Sequence, residues 1–240
     1  MIHIGLRKMI CGSLFSTIIM FSIYIIPATE AIQYPVASPQ NEYSNTKSIS
    51  TIDAIRLIQS KHYFSDIPDV IQMNSYSCGV GCVQAVAMHF GVWGYQDEYA
   101  RELGATPEDG THPLRITKYL VKIGLDAKIV ENMSLDDLRH HIDTHDVVII
   151  NYQAWGDPIG KNYSKEWEDG HYSVAIGYNE KMIFIEDPSL LGTIGYLTND
   201  EFLSRWHDYE NENGKRREYR NMGIVVRGKS NPQPRFTHID

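Results

Sequence analysis

The chain has 240 residues, of which 42% are hydrophobic, so it is long enough for one compact domain of about 150–200 residues with flanking segments. Its formal net charge is −8, and an acidic chain is a poor candidate for binding nucleic acid or anionic lipid through bulk charge. We expect no ATP binding and no ATPase activity of its own.

The first 31 residues have the layout of a secretory signal peptide. Arg7 and Lys8 precede an apolar stretch over residues 9–27, and small residues follow up to Ala31. We therefore expect the protein to be exported, either to a periplasm or out of the cell. The alternative is an uncleaved membrane anchor, because residues 9–27 approach the ~20 residues that a spanning helix needs. Contact with a membrane is expected only in that case.

Residues 32–66 are predicted to form a linker and a short helix. The linker, residues 32–50, is polar, contains two prolines and shows little periodicity. Thr51 can cap a helix that has Ile52, Ile55 and Ile58 on one face. A folded domain is predicted over residues 67–228, and the polar tail at 229–240 is expected to be disordered.

Helical patterns come first in this domain. The first helix is predicted from the apolar residues after Val80, which recur with helical spacing up to Phe90 and stop at Gly91. A later helix follows Thr198 as its N-cap residue. Three further helices are predicted at residues 96–103, 112–123 and 135–142.

Strand patterns dominate the second half of the domain. Four segments are rich in β-branched and aromatic residues, at 146–155, 171–178, 181–187 and 222–228. The Asn179–Glu180 pair suits a tight turn that joins two of them into a hairpin. Helices followed by strands predict an α+β domain in which helices pack against an antiparallel sheet.

Two cysteines, Cys78 and Cys82, lie four residues apart at the front of the first helix, while Cys11 lies in the leader. A single pair excludes a disulfide framework, since it could close only one small loop. A zinc site would need histidines to complete it. The remaining interpretation is one nucleophile with a packed neighbour.

The position of Cys78 favours a reactive thiolate. It falls in the first helical turn, where unpaired backbone N–H groups and the positive end of the helix dipole stabilise an anion. Gly79 and Gly81 are poor helix residues, and bare backbone there would leave room for a substrate chain. The alternative is that Cys78 is simply buried, as free cysteines often are. Cys82, one turn inward, is predicted to be a core residue.

A cysteine nucleophile needs a base, and the base needs a group that orients it. His171 opens one strand of the predicted hairpin and Asp187 closes the other. In an antiparallel pair these two ends lie close together, which places a carboxylate beside an imidazole. A histidine at a strand end is otherwise an ordinary surface residue.

Three segments together, "QMNSYSCGVGCVQAV", "DGHYSVAIGY" and "MIFIEDP", resemble the papain-like cysteine peptidases that remove double-glycine leaders from bacteriocins. The resemblance is closer to their stand-alone relatives without an ABC transporter, and covers roughly residues 68–208. It implies a papain-like α+β fold, with the nucleophile helix packed on an antiparallel β-sheet and a peptidase-like domain over 67–228.

The resemblance also implies roles for four residues. Cys78 would be the nucleophile, His171 the general base and acid, and Asp187 the group that orients the histidine. Gln72 matches the glutamine whose side-chain amide helps to form the oxyanion hole. Ser77 stands where the family commonly has aspartate.

We therefore predict a cysteine peptidase that hydrolyses a peptide bond through a thiolate acyl-enzyme. Its partner would be a peptide or protein substrate, with no cofactor and no metal. An exported enzyme would meet a substrate other than a standard bacteriocin leader. The alternatives are an acyl or peptidyl transferase or amidase with the same triad, or a non-catalytic binding module of the same fold.

Two other groups of side chains each allow two interpretations. His141 and His145 have the four-residue spacing of a metal pair, but cationic histidines also suit the end of a helix at this point. Trp155 and Trp167 flank the loop before His171, where they would line a substrate groove or pack in the core.

Overall fold

The computed structural model describes Ile52, His62, Phe64 and residues 66–156, 161–212 and 214–229. All of them belong to one compact unit, Ile49–Asp240. The predicted signal peptide, the linker, most of the first short helix and nearly all of the tail lie outside the described residues and stay predictions. Among the residues described, no helix has the length and apolarity to cross a membrane.

The described residues form five α-helices, each where the sequence predicted one. The helix predicted at 112–123 begins at Pro113, because the side chain of His112 caps it by accepting a hydrogen bond from the N–H of Leu114. Ser134 and Thr198 cap two further helices, each in a capping box. The helices are α1 (Cys78–His89), α2 (Gln96–Leu103), α3 (Pro113–Lys122), α4 (Leu135–Asp143) and α5 (Asn199–Arg205).

Six strands form one antiparallel sheet in the order β1-β8-β2-β3-β4-β5, and β6 and β7 form a separate hairpin. The turn at 179–181 joins β3 to β4, as the sequence predicted. The strands are β1 (Asp126–Val130), β2 (Val147–Gln153), β3 (Gly170–Tyr178), β4 (Met182–Glu186), β5 (Gly195–Thr198), β6 (His207–Glu212), β7 (Lys215–Arg220) and β8 (Gly223–Arg227). A short 3-10 helix lies at Tyr163–Lys165.

Four of these strands, β1, β5, β6 and β7, were not predicted. The sequence of β7 is "KRREYR", and only Tyr219 among its residues is buried. A strand with so little buried surface carries no alternation of apolar and polar residues, which is the signal that sequence analysis depends on.

Helix α1 is buried on nearly every side and packs against β3. The two glycines of its first turn have a packing role that the sequence analysis did not foresee. A Cβ on Gly79 would lie 3.0 Å from Cβ of Thr111, and a Cβ on Gly81 would lie 2.9 Å from Cβ of Pro188. Gly79 therefore lets the N-terminus of α1 approach the loop between α2 and α3, and Gly81 lets it approach the segment that follows β4.

Candidate active site

Cys78 is the first residue of α1 and is 8% exposed. Burial by itself raises the pKa of its thiol, but the charge of His171 and a hydrogen bond with its ring outweigh burial, and the pKa falls below the ordinary value of 9.0. Backbone hydrogen bonds from Tyr172 and Gly79 act in the same direction. The surroundings of Cys78 therefore favour the thiolate, the nucleophilic form of cysteine.

His171 is the second residue of β3 and is buried. Its Nε2 lies 2.8 Å from Oδ1 of Asp187, which leaves Nδ1 of the ring for the sulfur of Cys78. Burial lowers the pKa of the imidazole, but Cys78 and Asp187 more than compensate and raise it to about 10. This pKa places the ring in its protonated form at neutral pH, between Cys78 and the carboxylate of Asp187.

Asp187 follows β4 directly and is 3% exposed. Its Oδ2 accepts hydrogen bonds from the hydroxyl of Tyr152 at 3.0 Å and from the indole N–H of Trp155 at 3.1 Å. Its Oδ1 also accepts from the backbone N–H of Ser189 at 2.8 Å. Burial raises the pKa of this carboxyl, but these donors and His171 hold it below 3.8.

Sequence reasoning did not find Tyr152 and did not assign this contact to Trp155. Tyr152 stands directly opposite His171 in the β2–β3 register, so both side chains leave the sheet on the same face. Trp155 follows β2, has φ 62° and is 52% exposed. The signal in the sequence that could have indicated both residues is their place at the end of the predicted strand 146–155, where polar and aromatic residues gather.

Gln72 lies beside the first turn of α1, with its Cα 3.8 Å from where a Cβ on Gly81 would stand. Its backbone N–H donates to the carbonyl oxygen of Pro188, and its Oε1 accepts from the hydroxyl of Ser189 at 3.1 Å. Its Nε2 donates to the carbonyl oxygen of Asn74 at 2.7 Å. One of the two amide hydrogens of Nε2 makes this hydrogen bond, and these contacts leave the other hydrogen available.

The second cysteine has a different environment. Cys82 is 0% exposed, and both Cys78 and Cys82 are free thiols. Burial, with the nearby carboxyl of Glu186, raises the pKa of Cys82 well above 9.0. Cys82 therefore stays a neutral thiol in the core.

One histidine at the end of α4, His141, belongs to a network with Asp146 and Arg227. Nδ1 of His141 lies 2.8 Å from Oδ2 of Asp146, and Arg227 contacts both carboxylate oxygens of Asp146 at 2.7 Å. His145 has φ 62° in the turn that follows the helix. Within the described ranges, no group of three or more His, Cys, Asp or Glu side chains is placed to hold a metal ion.

The chain matches one known peptidase family over most of its folded part. The family model of the C39 peptidases matches residues 66–210, which is more than half of the chain. The chain belongs to the peptidase C39 family. It is therefore a cysteine peptidase, and the family predicted from the three sequence motifs is confirmed.

The C39 peptidase is also similar to individual proteins. An uncharacterized protein from Methanothermobacter thermautotrophicus is 31% identical over 121 residues, which are 50% of this chain and 71% of that protein. The solved structure of a C39-like peptidase from Bacillus anthracis has 16% identity and a TM-score of 0.51, covering 72% of this chain and all of that chain. This likeness shows the fold, so the predicted papain-like α+β architecture is confirmed.

A second solved structure is a double glycine motif protease from an AMS/PCAT transporter in complex with the leader peptide. It is 17% identical with a TM-score of 0.45, and the match covers 70% of this C39 peptidase and 94% of that chain.

Proposed function

We propose that this C39 peptidase hydrolyses a peptide bond in a peptide or protein substrate by nucleophilic catalysis at Cys78, with His171 as acid and base and Asp187 as the orienting carboxylate. The observation that supports this most is the chain of interactions from the Cys78 thiol through the His171 ring to Asp187, with 2.8 Å between Nε2 and Oδ1. This is the arrangement of nucleophile, base and orienter that acyl transfer requires.

The reaction would proceed in two halves. The Cys78 thiolate attacks the peptide carbonyl carbon, and the tetrahedral intermediate collapses as the C–N bond breaks and the His171 imidazolium protonates the leaving amine. This leaves a thioester on Cys78. Neutral His171 then takes a proton from water as the water oxygen attacks the thioester, and the carboxylic acid product and the thiolate are released.

The negative oxygen of the intermediate needs hydrogen-bond donors. The N–H of Cys78 lies in the first helical turn, where backbone donors have no acceptor within the helix. The amide of Gln72 would supply the second donor, through the hydrogen that is not bonded to Asn74. The hydroxyl of Ser189 holds the other end of that amide in place.

The test is peptide hydrolysis in water enriched in oxygen-18, with products identified by mass spectrometry. We expect one heavy oxygen in each new carboxyl terminus, because hydrolysis takes that oxygen from solvent, whereas transfer to an added amine does not. Cys78→Ala should abolish product formation, and Cys82→Ala is the matched control that should retain it. Turnover by Cys78→Ala would contradict the proposal.

We further propose that the enzyme is exported, on the strength of the basic, apolar and small-residue order of residues 1–31. N-terminal sequencing of protein recovered from outside the cytosol should find a chain that begins near Ile32. An intact Met1 in membrane-bound protein would instead support an anchor formed by residues 9–27.

A further inference from the structure

An open pocket of about 300 Å³ lies beside Cys78. Its walls come from the turn before α1, the loop between α2 and α3, the start of β3 and the strand β6. Cys78 and Gly170 both line it, so the pocket begins at the nucleophile and at the residue before His171. A substrate bound for attack by Cys78 would place its neighbouring atoms here.

The charge of the pocket is one-sided. No described residue that lines it is Lys, Arg or His. Besides the ring of His171, which interacts with Cys78, two arginines lie against its wall without lining it. Arg216 stacks on the rings of Tyr209 and Trp167, Arg220 stacks on Trp167, and both pair with Glu218. Five carboxyl groups line the pocket, those of Glu108, Asp109, Glu168, Asp208 and Glu210.

Two buried hydroxyls in the same walls have no hydrogen-bond partner among the described residues. These are the phenol of Tyr172, which is 4% exposed, and Oγ1 of Thr111, which is 2% exposed. The Tyr172 hydroxyl lies within electrostatic range of Asp208, Glu210 and Cys78. Buried polar groups in native proteins are rarely left unsatisfied, so these hydroxyls indicate a polar ligand that completes the pocket.

The innermost carboxyl of the pocket is held in place. Asp208 is 8% exposed and accepts hydrogen bonds from the side chains of Asn151 at 2.9 Å and Gln153 at 3.0 Å. Gly170 leaves room for it, since a Cβ there would lie 2.2 Å from Oδ2 of Asp208. Burial, with the nearby charge of Glu168, raises the pKa of Asp208 to about 6 although several donors oppose this. A cation in the pocket would relieve that repulsion.

We propose that this pocket binds a positively charged group of the substrate, an ammonium or guanidinium, next to the scissile bond. The proposal rests on the proposed function, because it says which group of the substrate lies in the pocket when Cys78 attacks the neighbouring bond. A double-glycine substrate has no side chain at those two positions to place in the pocket, and its neutral backbone would bring no positive charge to the carboxylates. The enzyme is therefore expected to prefer lysine or arginine, or a free N-terminal amine, near the bond that it cleaves.

The experiment uses peptidyl acyloxymethyl ketone probes that alkylate a catalytic thiolate. One probe is N-acetylated and carries lysine at the first or second position before the reactive group, and its matched partner carries Nε-acetyl-lysine there. A third probe carries acetyl-lysine but has a free N-terminus, which separates an α-ammonium from a side-chain ammonium. The readout is the rate constant for labelling of Cys78, followed by intact mass spectrometry.

We expect the lysine probe to label Cys78 at least about tenfold faster than its acetylated partner, as several carboxylates act together. The double variant Glu168→Gln and Glu210→Gln should bring the two rates close to each other. The amide that replaces the Glu168 carboxylate would keep an oxygen that accepts from the Tyr209 hydroxyl, as Glu168 does at 3.0 Å. Glu180→Gln changes an exposed carboxyl in the β3–β4 turn that does not line the pocket, and as the control it should keep the preference.

The outcomes separate the two proposals. Faster labelling only by the probe with a free N-terminus would support the cation pocket and assign it to an α-ammonium. Equal labelling of Cys78 by all three probes would overturn the pocket assignment while leaving the nucleophile intact. Labelling that persists in Cys78→Ala, or no labelling of the folded wild-type enzyme by any probe, would overturn the proposed function and the pocket with it.

Discussion

The indole N–H of Trp155 donates a hydrogen bond of 3.1 Å to Oδ2 of Asp187. Trp155 holds this position with φ 62°, a left-handed conformation that costs a residue with a side chain on the order of 1 kcal/mol or more. The donor occupies one carboxylate oxygen and leaves Oδ1 directed at His171. In the proposed mechanism Trp155 is therefore a positioning residue for His171.

Trp155→Phe removes this donor and keeps most of the ring. Asp187 would then be held less firmly against His171, so we expect kcat to fall by about tenfold and the pKa of His171 to decrease. The measurement is kcat/KM against pH, in which the alkaline limb should move to lower pH. Trp93→Phe is the control, since Trp93 is similarly exposed and stacks only on Tyr95 among the aromatic rings described. Equal profiles for the two variants would exclude a positioning role.

The pH profile of the wild-type enzyme should be bell-shaped. The proposed mechanism requires the thiolate of Cys78, whose pKa lies below 9.0, and the imidazolium of His171, whose pKa is raised to about 10. The alkaline limb is therefore expected near pH 10. Asp187→Asn removes the negative charge that stabilises the imidazolium, so the alkaline limb of the pH profile should move to lower pH. An alkaline limb near pH 6.5 in the wild type would show that the ion pair does not form.

The same shift affects stability. The pKa of His171 is raised on folding from 6.5 to about 10. Its contribution to the free energy of unfolding is thus fully present below pH 6.5 and is lost as the pH rises towards 10. Between pH 6.5 and pH 10, the Tm of the wild type should therefore decrease by more than the Tm of His171→Ala, which lacks the titrating group.

Gln72→Ala tests the proposed oxyanion donor. If its amide stabilises only the tetrahedral intermediate, kcat should fall by about 10²–10³-fold while KM and Tm change little. Ser189→Ala should have a smaller effect in the same direction, because it releases Oε1 of Gln72 without removing the donor. The competing role is structural, through the bond to Asn74. In that case Gln72→Ala would unfold at a lower temperature and keep nearly full kcat.

The two cysteines should respond differently to the same change. Cys82→Ala removes a fully buried sulfur and should cost about 1 kcal/mol of stability with activity retained, since the deleted group is small. Cys78→Ala should remove activity and leave the protein folded. Urea titration with steady-state kinetics on both variants provides the comparison. Loss of activity in both would show that Cys82 contributes to the site.

Much of the fold could be predicted from local patterns. The helices with capping residues, such as those after Ser134 and Thr198, were predicted close to their observed ends because the capping signal lies within a few residues. The hairpin β3–β4 followed from two strand patterns and a short turn between them. The unpredicted strands β6 and β7 pair with each other. The buried residues His207 and Asp208 of β6 are polar, and β7 buries only Tyr219, so no alternation of apolar and polar residues reveals either strand.

The sequence by itself determined the family, the order of the main elements and the candidates Cys78, His171 and Asp187, because each candidate stands at the end of a periodic segment. The tertiary structure decided which groups surround them. Tyr152, Trp155 and Ser189 meet Asp187 from separate segments, and the acidic pocket draws its carboxyls from the α2–α3 loop, the loop before β3, and β6. Hydrogen bonds and charges act over a few ångströms in space, whereas a sequence pattern carries only distance along the chain.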